Sequence, residues 1–185
     1  MTTSPTKITT KKVRFNFCYV WTPQEGDDGR KSYGVCIMIP KSDTETVAKI
    51  NAAIKVAKEE GKSKWGGKIP PNCKTPLRDG DTERDLDVNP EFAGHWFLNA
   101  NTLHQPGIID KNKEEILDTT EFYSGCYGRA SINFYPYDSK GNKGIAAGLN
   151  NLQKLSDGEP LGGGKSRAED DFDDDFEDED GDLLD

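Results

Sequence analysis

Residues 126–137 read Cys-Tyr-Gly-Arg-Ala-Ser-Ile-Asn-Phe-Tyr-Pro-Tyr, and they alternate without a break. One row is Cys126, Gly128, Ala130, Ile132 and Phe134. The other is Tyr127, Arg129, Ser131, Asn133, Tyr135 and Tyr137. A period of two places successive side chains on opposite faces of a strand. The first row is a core face. The second is aromatic, basic and polar, and it carries no acid. A sheet with such a face is half solvated and equipped to hold something.

Outward from this strand the chain stays mainly β. Residues 12–21 alternate as well: Val13, Phe15, Phe17, Tyr19 and Trp21 share one face, which predicts a half-buried strand. Pro23 and residues 26–29 mark a turn, and residues 32–39 form a more fully buried strand ended by Pro40. Ser42 or Asp43 caps a helix that ends before Gly61. Glu45 completes a capping box with Ser42, and Val47, Ile50, Ile54 and Ala57 form the apolar stripe. Lys49, Lys55 and Lys58 lie off that stripe and read as a solvated face. Residues 92–100 and 107–110 read as further strands. A last strand covers about 143–149, where glycine spacing fits tight curvature. Five or six strands, one inserted helix and long loops predict an oligonucleotide-binding (OB) barrel.

Residues 61–80 form a basic loop with Lys62, Lys64, Lys68, Lys74 and Arg78 against one acid, Asp79, and Trp65 sits inside it beside two glycines. Long loops in compact domains are functional or disordered, and a tryptophan argues for function.

The charge is divided. The 185 residues carry 24 Lys and Arg against 33 Asp and Glu, a net charge of −9. Residues 169–185 hold 12 of the acids and no base, so residues 1–168 keep 24 bases against 21 acids, or +3. The expected organisation is a folded domain over 1–155, a glycine-rich flexible linker over 156–168, and a disordered acidic tail over 169–185. Phe172, Phe176, Leu183 and Leu184 are spaced through the tail as apolar anchors for a partner.

Other chemistries find no footing. Cys18, Cys36, Cys73 and Cys126 have no metal-ligand spacing, so neither metal nor cofactor is expected. Such unpatterned cysteines fit reduced thiols. His95 and His104 stand without a triad motif, and no phosphate-binding glycine loop occurs. The acids Asp79, Asp81, Glu83, Asp85 and Asp87 resemble a cation loop only weakly, because bases interrupt them. The opening residues lack a basic-then-apolar pattern, so no signal peptide is expected, and no apolar run reaches membrane length. Binding single strands needs bases for phosphates and exposed rings for nucleobases. Trp65, Lys64, Lys68, Lys74 and Arg78 supply both from the loop, and Tyr127, Arg129, Tyr135 and Tyr137 from the strand. The competing reading is a protein-interaction module, a DNA mimic or a chaperone of basic proteins. A mimic would be acidic on its folded surface, whereas residues 1–168 are +3.

Four strings also carry a family resemblance. They are Trp65-Gly-Gly-Lys-Ile-Pro70, Thr75-Pro-Leu-Arg-Asp-Gly-Asp81, the run from Glu121 to Tyr135, and Gly144-Ile-Ala-Ala-Gly-Leu-Asn-Asn-Leu-Gln-Lys154 before an acidic tail. In this order they resemble phage and prophage single-stranded DNA-binding proteins, formerly a domain of unknown function. The layout is also similar to the helix-destabilising proteins of T7-like phages. The resemblance implies an OB fold, no catalysis, a role in phage replication or recombination, and the cytoplasm of a bacterial host. It implies single-stranded DNA as partner, with polymerase, primase or helicase recruited by the tail. Weak duplex binding and a homodimer stay open. T7-like tails end in an aromatic residue, whereas this one ends Leu183-Leu184-Asp185.

Overall fold

A computed structural model describes residues 5–27, 29–139 and 141–161. The acidic tail and most of the expected linker therefore lie outside the described residues, as do Phe172, Phe176, Leu183 and Leu184.

The strands among the described residues are β1 (Lys7–Thr9), β2 (Val13–Glu25), β3 (Lys31–Pro40), β4 (Arg78–Asp79), β5 (His95–Thr102), β6 (Gly107–Ile109), β7 (Tyr127–Ser139) and β8 (Asn142–Ser156). Three of these eight are two or three residues long, which is why the sequence suggested only five or six. The inserted helix is α1 (Thr44–Glu60), and a single turn, α2 (Gly80–Glu83), follows β4. β2, β3 and β5 form an antiparallel meander. β5 pairs β8 in parallel, β8 pairs β7 in an antiparallel hairpin, and β7 pairs β2 at Val13–Gly128 and Arg14–Tyr127. The protein is thus mainly β with one inserted helix, in an OB-like topology.

β7 behaves as its alternation requires. Cys126, Ala130, Ile132 and Phe134 are at most 1% exposed, and they meet Val13, Phe15, Ile37, Leu98 and Leu152 in the main core. β3 is buried on both faces. Val35, Ile37 and Ile39 point into that core, whereas Cys36 and Met38 meet Phe92 and Phe97 in a second cluster on the other side. α1 buries Ile50, Ala53, Ile54 and Ala57, close to the expected stripe. Its cap is Asp43, whose carboxylate accepts from the Thr46 amide at 3.1 Å. The capping box does not form: Glu45 turns instead to an ion pair with Lys11.

β2 departs from its expected alternation. The pairing with β3 shifts register between Asn16 and Tyr19, and Phe17 adopts φ +47°, rare for a bulky residue. The Asn16 side chain accepts from the Phe17 amide at 2.8 Å and holds the kink. Beyond it the parity is inverted: Val20 is buried, whereas Tyr19 is 40% exposed. Phe17 and Tyr19 therefore leave the core face assigned to them.

The 61–80 loop is more ordered than its composition implies. Residue 74 runs alongside β8: the Lys74 amide donates to the Lys143 carbonyl at 3.2 Å, and the Ile145 amide to the Lys74 carbonyl at 2.7 Å. Gly144 makes this approach feasible, since a Cβ there would sit 2.6 Å from the Lys74 carbonyl oxygen and 2.9 Å from the Tyr137 hydroxyl. At the other end of β8, residues 157–161 are strapped down rather than flexible. Arg14 donates to the Glu159 carbonyl at 2.7 Å, the Leu161 amide donates to the Ser124 carbonyl at 2.8 Å, and Lys154 pairs with Asp157 at 2.6 Å. Residues 156–161 of the expected linker are thus tied to the domain, and the rest of it lies outside the described residues.

Two consequences are measurable. Gly144→Val is expected to destabilise the protein by about 1–3 kcal/mol in urea unfolding, through overpacking against residue 74. The Asp157 carboxyl is held below its ordinary pKa by hydrogen bonds from Lys154 and from the Tyr123 hydroxyl. A lowered carboxyl pKa stabilises above the unfolded value and loses that stabilisation as pH falls through the folded one. Amide exchange at Gly158 and Leu161 should thus accelerate only on acidification below the ordinary carboxylate range.

Candidate nucleic-acid interface

Four of the sequence-selected residues come together. Lys74, Arg78, Tyr135 and Tyr137 line a groove of about 320 Å³ whose floor is Ile145, Ala146 and Ala147 of β8. Tyr135 is 44% exposed, so its ring is presented to solvent. The β8 residues opposite, Ala146 for Tyr135 and Gly144 for Tyr137, are small and leave the rings uncovered. The Gly144 contact described above carries Lys74 onto the same wall. Arg78 reaches the rim with one hydrogen bond already made, to Glu83 at 3.1 Å.

Others take different places. Trp65 is 6% exposed and its Nε1 donates to the Tyr137 carbonyl at 3.0 Å. A ring so enclosed offers no face to a ligand; it is a core residue that fixes the loop to the end of β7. Lys64 is exposed and donates to the Pro136 carbonyl at 3.5 Å, and Lys68 is exposed on the same loop. Tyr127 and Arg129 lie at the opposite end of β7, eight and six residues from Tyr135, or about 26 and 20 Å of strand. The Tyr127 ring has Lys12 and Arg14 each 5.3 Å from its centroid. Arg129 donates to the Thr10 carbonyl at 2.8 Å. The polar row of β7 is one face in sequence but two separate stations in space.

A second groove, of about 430 Å³, is lined by Phe17, Tyr19, Gln24, Ser32, Gly34 and Arg84, together with Asn99 and Asn101 of β5. Those two asparagines also line the first groove, so the two are continuous. No acid among the described residues lines either one. The bulge at Phe17 supplies the rings, and the absence of a side chain at Gly34 leaves room for Asn101. The Arg84 guanidinium lies 5.7, 4.9 and 4.8 Å from the ring centroids of Phe17, Phe92 and Phe97. Its Nε is buried and hydrogen-bonds to nothing among the described residues. The residue is only half-buried and pairs with no carboxylate among the described residues, so its remaining N–H groups can take an anion from the groove. Sequence reasoning missed Phe17, Tyr19 and Arg84. Arg84 was read as a base interrupting an acidic ladder, and only the rings that fold against it reveal its place.

Asp79 and Asp81, candidates for a weak cation loop, both accept from the Lys41 ammonium at 2.7 Å. The Asp81 carboxyl is lowered first by that bond and then by the Gly94 amide. Among the described residues no three His, Cys, Asp or Glu side chains gather to hold a metal. Burial pushes the Cys36 thiol up to about 12 and raises Cys18 and Cys126 as well, so none is a thiolate at neutral pH. No helix among the described residues is long and apolar enough to cross a membrane.

Comparison with known proteins agrees with this geometry. Residues 6–184 match the family model described as the Enterobacter phage Enc34 ssDNA-binding protein. The p50 protein of Acyrthosiphon pisum secondary endosymbiont phage 1 is 35% identical over 179 residues, covering 91% of this chain and 93% of that protein. The structure of the bacteriophage Enc34 single-stranded DNA-binding protein in complex with ssDNA superposes with a TM-score of 0.73 at 27% identity, over 85% of this chain and 90% of that one. Gp2.5, a single-stranded DNA-binding protein encoded by bacteriophage T7, shares the fold with a TM-score of 0.62 at 14% identity, over 92% of this chain and 97% of that one. With the family model matched from residue 6 to residue 184, the chain belongs to the Enc34 phage ssDNA-binding protein family.

Proposed function

We propose that this chain binds single-stranded DNA without sequence preference during phage DNA replication or recombination. One observation carries the reading: a continuous, acid-free groove with Tyr135, Tyr137, Lys74 and Arg78 at one end and Phe17, Tyr19 and Arg84 at the other. The Enc34 protein, solved with ssDNA, supports it as a family member. The family is a binding family, not a catalytic one. Rings stack on any base, each worth about 1–3 kcal/mol, whereas among the described residues the groove offers only the amides of Gln24, Asn99 and Asn101 to base edges. Lys74, Arg78 and Arg84 take phosphates. Lys64 and Lys68 continue the positive track beyond Lys74, and Tyr127 and Arg129 form a second station for a longer strand. The ring of pairings β2-β3-β5-β8-β7-β2 is read as a closed OB barrel, which holds the groove walls at fixed spacing.

The tail is assigned the opposing part. Its 12 acids imitate a polyanion and compete for the groove. A strand that displaces them frees the tail, with Phe172, Phe176, Leu183 and Leu184, to recruit a polymerase, primase or helicase. Leu161, the last described residue, packs in the same cluster as Phe17, beside one end of the groove.

Four measurements test this. Deleting 169–185 should tighten binding to oligothymidylate at low salt; unchanged affinity at every salt concentration would remove the tail from the mechanism. Tyr135→Ala should weaken binding about 5- to 150-fold, the loss of one stack. Lys74→Ala should lessen the log–log salt slope by about 0.7. Arg84→Met keeps the stem against the three rings and removes the charge. It should weaken binding about tenfold or more while stability holds or rises. Weak binding with equal loss of stability would make Arg84 structural only.

A further inference from the structure

A third groove, of about 430 Å³, lies between α1, residues 75–77 and β5. Its lining differs in kind from that of the strand groove. Val47, Ile54, Leu77 and Trp96 supply an apolar floor, Lys55 and Lys58 stand on the α1 side, and no acid is present. Trp96 is held in place, because the Lys41 ammonium sits 4.9 Å from its ring centroid and is itself anchored by Asp79 and Asp81. Thr75 lines both this groove and the one holding Lys74, Arg78, Tyr135 and Tyr137, so the two adjoin.

We propose that this groove is the docking site of the chain's own C-terminal segment. Phe172 and Phe176 seat on the Val47, Ile54, Leu77 and Trp96 floor, and the flanking carboxylates meet Lys55 and Lys58. Complementarity selects this occupant. An aliphatic floor suits phenyl rings, whereas nucleobases need ring faces, and here only Trp96 supplies one. Phe172 and Phe176 are the tail's rings, each bordered on both sides by aspartate or glutamate. The reach suffices. Eleven residues separate Leu161 from Phe172, at most about 36–40 Å of extended chain. A domain of this size has a radius of gyration of about 15 Å.

The consequence deepens the proposed competition, on which it rests. With the rings anchored beside Thr75, the acids are held next to Lys74 and Arg78. A strand then contends with carboxylates at high local concentration rather than with a free polyanion.

Two variants and two readouts decide it. Asn51→Trp fills the mouth of the groove from the exposed face of α1 without changing charge, and Phe172→Ser/Phe176→Ser removes the anchors. In the full-length protein each should tighten oligothymidylate binding at low salt by nearly the factor that deletion of 169–185 produces. In the tail-deleted protein Asn51→Trp should leave affinity unchanged. The Trp96 indole N–H resonance should differ between full-length and tail-deleted protein, and Phe172→Ser/Phe176→Ser should abolish that difference. Weaker DNA binding by Asn51→Trp in both forms would make the groove part of the strand path and overturn the proposal. So would an indole resonance indifferent to the tail, or a full-length affinity unmoved by loss of both rings. An indole shift without any effect of deletion on DNA affinity would retain the docking and remove the competition.

Discussion

Backbone hydrogen bonding along both edges of β7 is the constraint from which the rest of the structure follows. One edge runs the length of β8, from Tyr127–Ser156 to Ser139–Asn142. The other is taken by β1 at residues 131–133 and by β2 at residues 127–128. A strand paired on both sides cannot slip by one residue without turning Ile132 and Phe134 out of the core. The same lock sets Tyr135 and Tyr137 on the outer face. Burial and presentation are thus two results of one register.

The second constraint is local and works against regularity. A continuous β2 would have kept Phe17 and Tyr19 beside Phe15 in the interior. The bulge, held by the Asn16 side chain, sends them outward at the cost of a left-handed backbone at a bulky residue. This strain creates the half of the groove that Arg84 completes. The guanidinium is lodged among three rings, with no carboxylate partner among the described residues, at the other end of the groove from Tyr135. The groove therefore joins a regular strand's outer row to an irregular strand's displaced one, through the Asn99 and Asn101 side chains between them.

Charge is handled by separation. The mild excess of bases over residues 1–168 is not spread evenly. Lys41, Lys154 and Lys11 are occupied with carboxylates, whereas Lys74 and Lys68 stand exposed in no ion pair among the described residues. The acids needed for a large net negative charge are gathered beyond residue 168.

The amino-acid sequence by itself determined the alternating rows of β7, the helix over residues 44–60, the more fully buried β3 and the division of charge. Each depends on periodicity or composition within one segment, where backbone geometry leaves few choices. Tertiary structure alone decided that Trp65 is a core residue, because what covers a loop side chain is set by the strand it folds onto, here the end of β7. It decided that Tyr127 and Tyr135 are separate stations, since sharing a strand face does not mean sharing a patch. It also decided that Phe17, Tyr19 and Arg84 belong to the groove. A bulge inverts parity without changing the pattern of residues, and a cation's surroundings depend on three phenylalanines that the sequence places 67, 8 and 13 residues away.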